Sequence, residues 1–277
     1  MEKAVVNGIT LEYEVSGSGE PVVFIHGALI ADSFRPLLAE PSLAHGYRLI
    51  TYRRRGYMGS SHKPGTVSIA RQATDCRALL RHLDVEQAHI IGHSLGGCIA
   101  LQLALGDPEV VHSLALLEPA LIVGASAQSY RDSLVRGQQR YREGPAAVIV
   151  DDFLQARWPG YRAVLDRILP GAFVQAVTDA ATSFELELPG WLDWSFGEAE
   201  ARRITQPVLA VLGSESVALS PRFEETYRLL LDWLPHAEGF VLPGATHFLH
   251  LENQAAARGM AEALADFCSR HPIPGPV

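Results

Sequence analysis

The chain has 277 residues, 48% of them hydrophobic, and its 31 acidic and 23 basic residues give a formal net charge of −8. This length can bury the core of one large domain, or of one domain with an insertion. The charges are interspersed, which argues against nucleic acid or an anionic membrane surface as a partner because both require clustered Lys and Arg.

The predicted strands begin with residues 11–15, where apolar and polar residues alternate as in a half-exposed edge strand. The others are short apolar runs, as expected of strands covered by helices on both faces; they span residues 22–25, 48–51, 89–91, 114–117, 208–212 and 239–242. Amphipathic stretches predict helices at residues 33–44, 69–83, 95–105, 222–234 and 255–270. This alternation indicates an α/β fold whose parallel sheet lies between helical layers, with its site at the carboxyl ends of the strands.

The alternation stops between residues 121 and 203. Helix-like pieces rich in Arg, Ala and aromatic residues follow one another there without a convincing strand. Proline–glycine pairs such as Pro159-Gly160 and Pro189-Gly190 punctuate the segment. Residues 121–203 are therefore predicted to form a helical insertion.

The most informative motif is Gly92-His93-Ser94-Leu95-Gly96, a G-x-S-x-G between a strand-like run and a helix-like run. This context predicts a nucleophile elbow, in which a strained turn exposes the serine oxygen at the edge of the sheet. The glycines let the strand and the helix approach without Cβ clashes. The helix amino terminus beneath the serine would stabilise an oxyanion formed there.

With this motif in place, the chain resembles the α/β-hydrolase family over about residues 5–267. The resemblance implies a mostly parallel, doubly wound sheet with residues 1–120 and 204–277 in the core domain and residues 121–203 as a helical cap. One departure matters: the family usually places Asp three residues after the glycine that ends the seventh strand, and this chain has Ser216 three residues after Gly213. Four segments carry the resemblance in the family's order, namely residues 22–27, 52–61, 92–97 and 244–252.

A serine hydroxyl needs an adjacent base to act as a nucleophile at neutral pH. His247 is the predicted base, because it follows an apolar strand and a Pro-Gly turn and lies where the family keeps its catalytic histidine. The other nearby histidines receive structural roles. His93 is expected to pack, His26 to brace the oxyanion loop as in the family, and His250 to form hydrogen bonds or begin a helix.

Two carboxylates compete to orient His247. Glu118 directly follows the sixth strand, beside the strand of the serine, and some family members, including certain lactonases, take their acid from this place. Glu215 lies in the loop after the seventh strand, one residue short of the usual Asp. Glu118 is the preferred interpretation because an unpaired carboxylate at a buried strand end is costly, and Glu215 remains the alternative.

The remaining site residues surround the serine. The backbone amides of Leu95 and Ala28, with Gly27 as neighbour, are predicted to form the oxyanion hole. Leu29, Trp191 and Trp194 are the candidates for substrate contact, since an aromatic-rich cap would suit a hydrophobic ester or lactone. The alternative is that these apolar residues only pack the cap helices against the sheet, since such helices need an apolar face in any case.

The sequence therefore predicts a serine hydrolase that cleaves a carboxylic ester or lactone of a hydrophobic small molecule through an acyl-enzyme. Ser94 argues against a dehalogenase or epoxide hydrolase, which would place Asp there. A carbon–carbon bond hydrolase, a haloperoxidase-like esterase and a non-catalytic small-molecule receptor remain alternatives.

No metal or organic cofactor is expected, and no nucleic acid or membrane partner. Three scattered cysteines and an amino terminus without an apolar signal core predict a cytoplasmic protein. A homodimer is one option for its assembly. The basic run Arg53-Arg54-Arg55 is expected to be solvated or paired with carboxylates.

Overall fold

A computed structural model describes residues 1–274 of the chain and contains an eight-stranded sheet in the order β1-β2-β4-β3-β5-β6-β7-β8. Pairings are antiparallel between β1, β2 and β4, and parallel from β4 through β8. The predicted fold class, an α/β protein with a mostly parallel, doubly wound sheet and a helical insertion, is confirmed. The strands are β1 Glu2–Val6, β2 Ile9–Gly17, β3 Glu20–Ile25, β4 Tyr47–Arg53, β5 Ala88–His93, β6 Val111–Leu117, β7 Val208–Gly213 and β8 Ala237–Leu242.

The edge of the sheet differs from the prediction. The alternating residues 11–15 lie in β2, which is the second strand and pairs with both β1 and β4. The edge strand is β1, which the sequence analysis missed. Only Ala4 and Val6 of its five residues are buried, so its pattern is too short to be recognised by alternation alone.

The core helices agree with the prediction except at two places, one of which is the short helix Ser216–Leu219 that the sequence analysis missed. The predicted helix 33–44 is two short helices, because Pro41 disfavours helical backbone at the preceding residue and Glu40 is extended at φ −72°, ψ 131°. The helices flanking the sheet are α1 Arg35–Leu38, α2 Pro41–Ala44, α3 Ile69–His82 and α4 Leu95–Gly106, and after the insertion α11 Ser216–Leu219, α12 Pro221–Trp233 and α13 Gln254–Arg270.

The sheet buries both of its faces. Neighbouring residues of one strand, such as Val22 and Val23, belong to separate hydrophobic clusters on opposite sides of the sheet. Leu101 of α4 lies in one cluster and Leu264 of α13 in the other. This explains why the central strands are mostly apolar rather than alternating.

The chain between β6 and β7 is helical throughout its regular elements. These are α5 Ala127–Glu143, α6 Ala146–Gln155, α7 Tyr161–Ile168, α8 Ala172–Thr178, α9 Leu188–Leu192 and α10 Glu198–Ala201, with a π-helical segment at Thr182–Glu187 before α9. Trp191 binds this insertion to the core by donating from Nε1 to the Ala120 carbonyl at 3.0 Å. Within residues 1–274, no helix is both long and apolar enough to cross a membrane.

Each arginine of the basic run contacts a carboxylate. Arg53 pairs with Glu12 at 2.6 Å and Asp32 at 2.9 Å. Arg55 pairs with Asp75 at 2.6 Å, and Arg54 forms a fully buried pair with Glu187 of the π-helical segment. The run is therefore part of the internal structure of the protein.

Candidate active site

Ser94 occupies the sharp turn between β5 and α4, with φ 52° and ψ −119°. A Cβ on Gly96 would lie 2.0 Å from the Ile25 carbonyl oxygen, and one on Gly92 would lie 2.5 Å from the Gly96 carbonyl oxygen. Both contacts are with backbone, which cannot give way cheaply. The glycines are therefore required for the close packing of strand and helix that presents Ser94.

His247 approaches Ser94 from the loop after β8. The distance from its Nε2 to the Ser94 Oγ is 3.0 Å, so the serine hydroxyl can donate to the imidazole. Glu252 fixes this loop by accepting hydrogen bonds from the amides of Thr246 at 3.0 Å and Phe248 at 3.1 Å. The sequence analysis missed Glu252, although a carboxylate this close to His247 was an available signal.

Glu118 lies on the other side of His247. Its Oε2 is 2.8 Å from the His247 Nδ1, and its Oε1 accepts from the Gly213 amide at 2.8 Å. The residue follows β6 directly and has a left-handed backbone, with φ 44°. Ser94, His247 and Glu118 thus form one hydrogen-bonded series.

Glu215 lies apart from this series. Its carboxylate accepts from the Ser214 hydroxyl at 3.1 Å, and its amide donates to the Ala245 carbonyl at 2.9 Å. In the part of the chain that the structure describes, Glu215 has no hydrogen bond or ion pair with His247. Ser216, at the family's usual acid position, is fully buried.

Burial governs the protonation of the pair. It raises the pKa of the Glu118 carboxyl to about 7, against the opposing effects of the Gly213 amide and the positive charge of Arg222. The pKa of His247 is held well below its usual value, first by burial and then by the charges of Arg222 and Arg157. The imidazole is accordingly neutral near pH 7 and able to accept a proton.

Two backbone amides at the serine are free to donate. Within residues 1–274, the amides of Ala28 and Leu95 have no protein acceptor, and both residues line the cavity beside Ser94. Arg54 stabilises the loop that carries Ala28 by donating a hydrogen bond to the Gly27 carbonyl at 2.9 Å. His26 closes the same loop, with its Nδ1 2.7 Å from the Gly27 carbonyl oxygen.

His93 and His250, the two remaining histidines near the site, make different contacts. The Nε2 of His93 is 2.8 Å from the His247 carbonyl oxygen, so His93 helps to hold the backbone of His247 in place. His250 stacks on Phe34 with ring centroids 4.4 Å apart. Neither ring nitrogen of His250 has a hydrogen-bond partner among the described residues, so the predicted hydrogen-bonding role of His250 is wrong, and it packs as an apolar ring instead.

A cavity of about 420 Å³ lies between the insertion and the core, beside the Ala28 and Leu95 amides. Leu29 and Trp191 line it, as does the side chain of Phe223. Trp194 is not part of this lining; it stacks on Phe196 with centroids 5.4 Å apart. Most of the wall comes from the insertion and from the segment 219–223, which includes the start of α12. These wall residues include 126, 129, 130, 133, 134, 137, 140, 149, 152, 153, 156, 157, 219, 220 and 222.

The sequence analysis missed the two most unusual residues of this wall, Arg157 and Arg222. Both face the cavity, and both influence the charge on His247. No motif marks them in a chain with many arginines. Among the described residues, no cluster of three or more His, Cys, Asp or Glu side chains is arranged to hold a metal ion.

Comparison with known proteins places this geometry in a family. The family described as "alpha/beta hydrolase fold" matches residues 20–254. The 2-(acetamidomethylene)succinate hydrolase of Mesorhizobium japonicum is 28% identical over 280 residues, which cover 95% of this chain and 92% of that protein. The enol-lactonase of Burkholderia xenovorans has a similar structure, with a TM-score of 0.76 at 21% identity over 97% of this chain and 100% of that chain.

A third relative is the dihydrolipoyllysine-residue acetyltransferase component of the acetoin cleaving system of Cupriavidus necator. It is 32% identical over 179 residues, which cover 64% of this chain but only 47% of that protein. The names of these relatives span more than one reaction, so they do not specify the bond that this protein acts on. The match over residues 20–254 covers most of the sequence, and the chain belongs to the alpha/beta hydrolase fold family.

Proposed function

We propose that the protein is a serine hydrolase that cleaves a carboxylic ester or lactone. One observation carries the proposal: the hydrogen-bonded series in which His247 lies 3.0 Å from Ser94 and 2.8 Å from Glu118. A nucleophile, a base and an orienting carboxylate in this order are the parts that acyl transfer through a serine requires.

In the first half of the reaction, the Ser94 Oγ attacks the carbonyl carbon and its proton passes to the His247 Nε2. The resulting oxyanion accepts hydrogen bonds from the Ala28 and Leu95 amides. The Glu118 carboxylate stabilises the imidazolium of His247 by accepting a hydrogen bond from its Nδ1–H. The carbon–oxygen bond then breaks, and the leaving alkoxide takes the proton from His247.

In the second half, water attacks the acyl-enzyme and gives a proton to His247. Collapse of the second tetrahedral intermediate releases the carboxylic acid, and the Ser94 Oγ recovers its proton from His247. For a lactone, the alcohol of the first half remains covalently attached to the acyl group. Each step uses the same three side chains and the same two amides.

The wall of the cavity supports a substrate with apolar parts. Leu29, Leu134, Phe184 and Trp191 contribute apolar surface to a volume of about 420 Å³, which suits a small organic molecule. An enol-lactonase is among the proteins of similar structure, and its name supports a lactone as the substrate.

Labelling with a fluorophosphonate probe tests the proposal, because the probe reacts only with an activated serine. We expect stoichiometric labelling that peptide mapping assigns to Ser94, and we expect Ser94→Ala to lose both the label and several orders of magnitude of esterase turnover. Folding of the variant is checked by circular dichroism. An unlabelled Ser94, or a variant that retains more than a few per cent of turnover, would overturn the nucleophilic mechanism.

A further inference from the structure

Arg222 is a buried arginine that forms no ion pair within residues 1–274. It is the second residue of α12 and is only 6% exposed. Its Nη1 has no hydrogen-bond partner, and no carboxylate lies within ion-pair distance of the side chain, among residues 1–274. The guanidinium instead lies over the rings of Phe223, 3.9 Å from its centroid, and Tyr130, 4.0 Å from its centroid.

Arg157, which is partly buried, is a second arginine of the cavity wall. It has no ion pair within the described chain, and its Nη1 donates only to the Phe153 carbonyl, at 3.0 Å. Its guanidinium covers the Phe153 ring at 3.6 Å. Burial lowers the pKa of Arg157 to about 10; the charge of Arg222 acts in the same direction, and Tyr130 opposes it.

Both arginines line the cavity that Ala28 and Leu95 also line. Phe223, which stacks with Arg222, lies with its ring centroid 5.0 Å from that of His247. Arg140 also lines the cavity, but it already pairs with Asp152 and both of these side chains are about half exposed. The unpaired charge of the cavity is therefore concentrated near the proposed base.

Two unpaired cations at this place oppose the proposed chemistry. The positive charge on Arg222 and Arg157 disfavours the imidazolium that His247 must become. An anion bound to Arg222 and Arg157 would neutralise their charges. Protonation of His247 would then no longer be opposed by them. A planar carboxylate matches the fork of N–H donors that an arginine presents.

We propose that Arg222 and Arg157 form a subsite for a carboxylate carried by the ester or lactone substrate. This inference rests on the proposed function and adds a charge requirement to it. The substrate would then combine an apolar part, against Trp191 and Phe184, with one carboxylate held by the arginines.

Matched esters test the subsite. The probes are the mono-4-nitrophenyl esters of succinate, glutarate and adipate, each compared with the same ester whose free carboxylate is methylated. We expect kcat/KM to favour at least one anionic ester by about tenfold or more, the effect of one charge-assisted hydrogen bond. The readout is this ratio of anionic to neutral ester, since effects on the base itself cancel in it.

Substitution of each arginine should reduce the ratio. We expect Arg222→Gln and Arg157→Gln each to lower it about tenfold, and Arg222→Lys to retain part of it because the charge remains. Arg162→Gln is the matched control. Arg162 also stacks on an aromatic ring, with its guanidinium carbon 3.3 Å from the Phe173 centroid. Its Nη2, however, pairs with the Asp151 Oδ1 at 3.4 Å, and the residue does not line the cavity. Arg162→Gln should therefore keep the wild-type ratio.

A binding measurement separates this inference from the proposed function. Glutarate should bind the protein more tightly than uncharged glutaramide in calorimetry, and Arg222→Gln should abolish the difference. Equal ratios for anionic and neutral esters, or a glutarate affinity that survives both glutamine variants, would overturn the subsite while fluorophosphonate labelling of Ser94 still supports the hydrolase. Selective glutarate binding without labelling would instead support the subsite and overturn the proposed mechanism.

Discussion

Ser94 and Glu118 share an uncommon backbone conformation, with φ 52° and 44°. Side chains other than glycine rarely adopt such angles, and each instance stores strain of about 1–3 kcal/mol. Both residues end neighbouring parallel strands, β5 and β6, and both turn back over the edge of the sheet toward His247. Two of the six non-glycine residues with positive φ in the described chain are therefore the residues that contact the His247 ring on either side.

The choice between the two acids can be tested by substitution. We expect Glu118→Gln to lower kcat by at least about a hundredfold, since the amide no longer stabilises the imidazolium or selects its tautomer. Activity on an aryl ester is the measurement, with the thermal midpoint as a check on folding.

Glu215→Gln is the matched control. Its carboxylate contacts only the Ser214 hydroxyl among the described side chains, so its variant should stay within about fivefold of the wild type because it leaves His247 undisturbed. A damaging Glu215→Gln together with a mild Glu118→Gln would reverse the assignment of the acid.

The acid limb of the pH profile should depend on Arg222. The charges that face His247 are Arg222 on α12, Arg157 after α6, and Glu118, and the buried imidazoles of His93 and His250 lie beside it. Arg222 lowers the pKa of both His247 and Glu118. Without this charge both groups hold their proton to higher pH, so Arg222→Gln should move the acid limb of kcat/KM upward by about 0.5–1 unit.

An uncharged ester such as 4-nitrophenyl butyrate isolates this effect from substrate binding. Arg162→Gln, which removes a charge outside the cavity, should leave the limb in place. A limb that stays fixed in Arg222→Gln, or moves to lower pH, would contradict the electrostatic coupling.

At this scale the sequence allowed some residues to be identified and not others. Ser94 and His247 stand in local patterns that the chain spells out, and Glu118 follows an apolar strand directly. Arg157 and Arg222 carry no such pattern. They are unusual because, within residues 1–274, neither forms an ion pair with a carboxylate, and the absence of a partner leaves no pattern in a sequence.

At the scale of elements, the turn from β5 to α4 depends on glycines, because a side chain there would clash with neighbouring backbone. Alanine at position 96 would favour the helix by about 1 kcal/mol in isolation. Its Cβ would nevertheless lie 2.0 Å from the Ile25 carbonyl oxygen, and such overpacking costs about 1–3 kcal/mol. We expect Gly96→Ala to lower the free energy of unfolding and to reduce turnover by displacing Ser94, as measured by urea denaturation and esterase assay.

Gly106 at the far end of the same helix provides the comparison. The nearest atom to a Cβ there is the Gln102 Nε2 at 4.0 Å, and the residue is exposed. Gly106→Ala should therefore be neutral or stabilising by up to about 1 kcal/mol. A stable, active Gly96→Ala would show that the elbow tolerates a side chain and that the close packing is not required.

Most core elements were predictable because burial on both faces leaves a continuous apolar run. The π-helical segment Thr182–Glu187 was not, since its register depends on contacts with other parts of the chain. There the Tyr57 hydroxyl donates to Glu187 at 2.6 Å, and the Val67 amide donates to the Leu186 carbonyl at 2.8 Å. Both contacts join residues more than a hundred positions apart.

At the scale of the whole molecule, one buried ion pair joins the insertion to the core. Arg54 and Glu187 are each about 1% exposed. The same guanidinium donates to the His26 carbonyl at 3.1 Å and the Gly27 carbonyl at 2.9 Å. The insertion is therefore connected through two side chains to the loop that carries the Ala28 amide.

Removing the negative partner should affect both stability and catalysis. We expect Glu187→Gln to lower the free energy of unfolding by about 3–5 kcal/mol, because it leaves the buried charge of Arg54 uncompensated. Turnover should fall as well, since Arg54 holds the oxyanion loop. Denaturant titration and kcat on an uncharged ester measure the two effects.

The surface pair of Glu198 and Arg202, at 2.7 Å with both side chains about half exposed, provides the control. Glu198→Gln should change stability by no more than about 1 kcal/mol and leave turnover unaltered. A comparable loss in both variants would mean that burial does not set the strength of the Arg54–Glu187 pair.

The position of Glu118 at the tip of β6 has a consequence for how this protein can evolve. With the proposed acid on β6, the segment after β7 carries no group that takes part in bond breaking, yet Leu219, Ser220, Arg222 and Phe223 in that segment form part of the cavity wall. Reaction and selectivity are thereby assigned to separate stretches of chain. Exchange of residues 214–223 between homologous enzymes should transfer substrate preference while Ser94, His247 and Glu118 stay in place. Because Arg222 influences the charge on His247, the pH profile should be transferred with the segment.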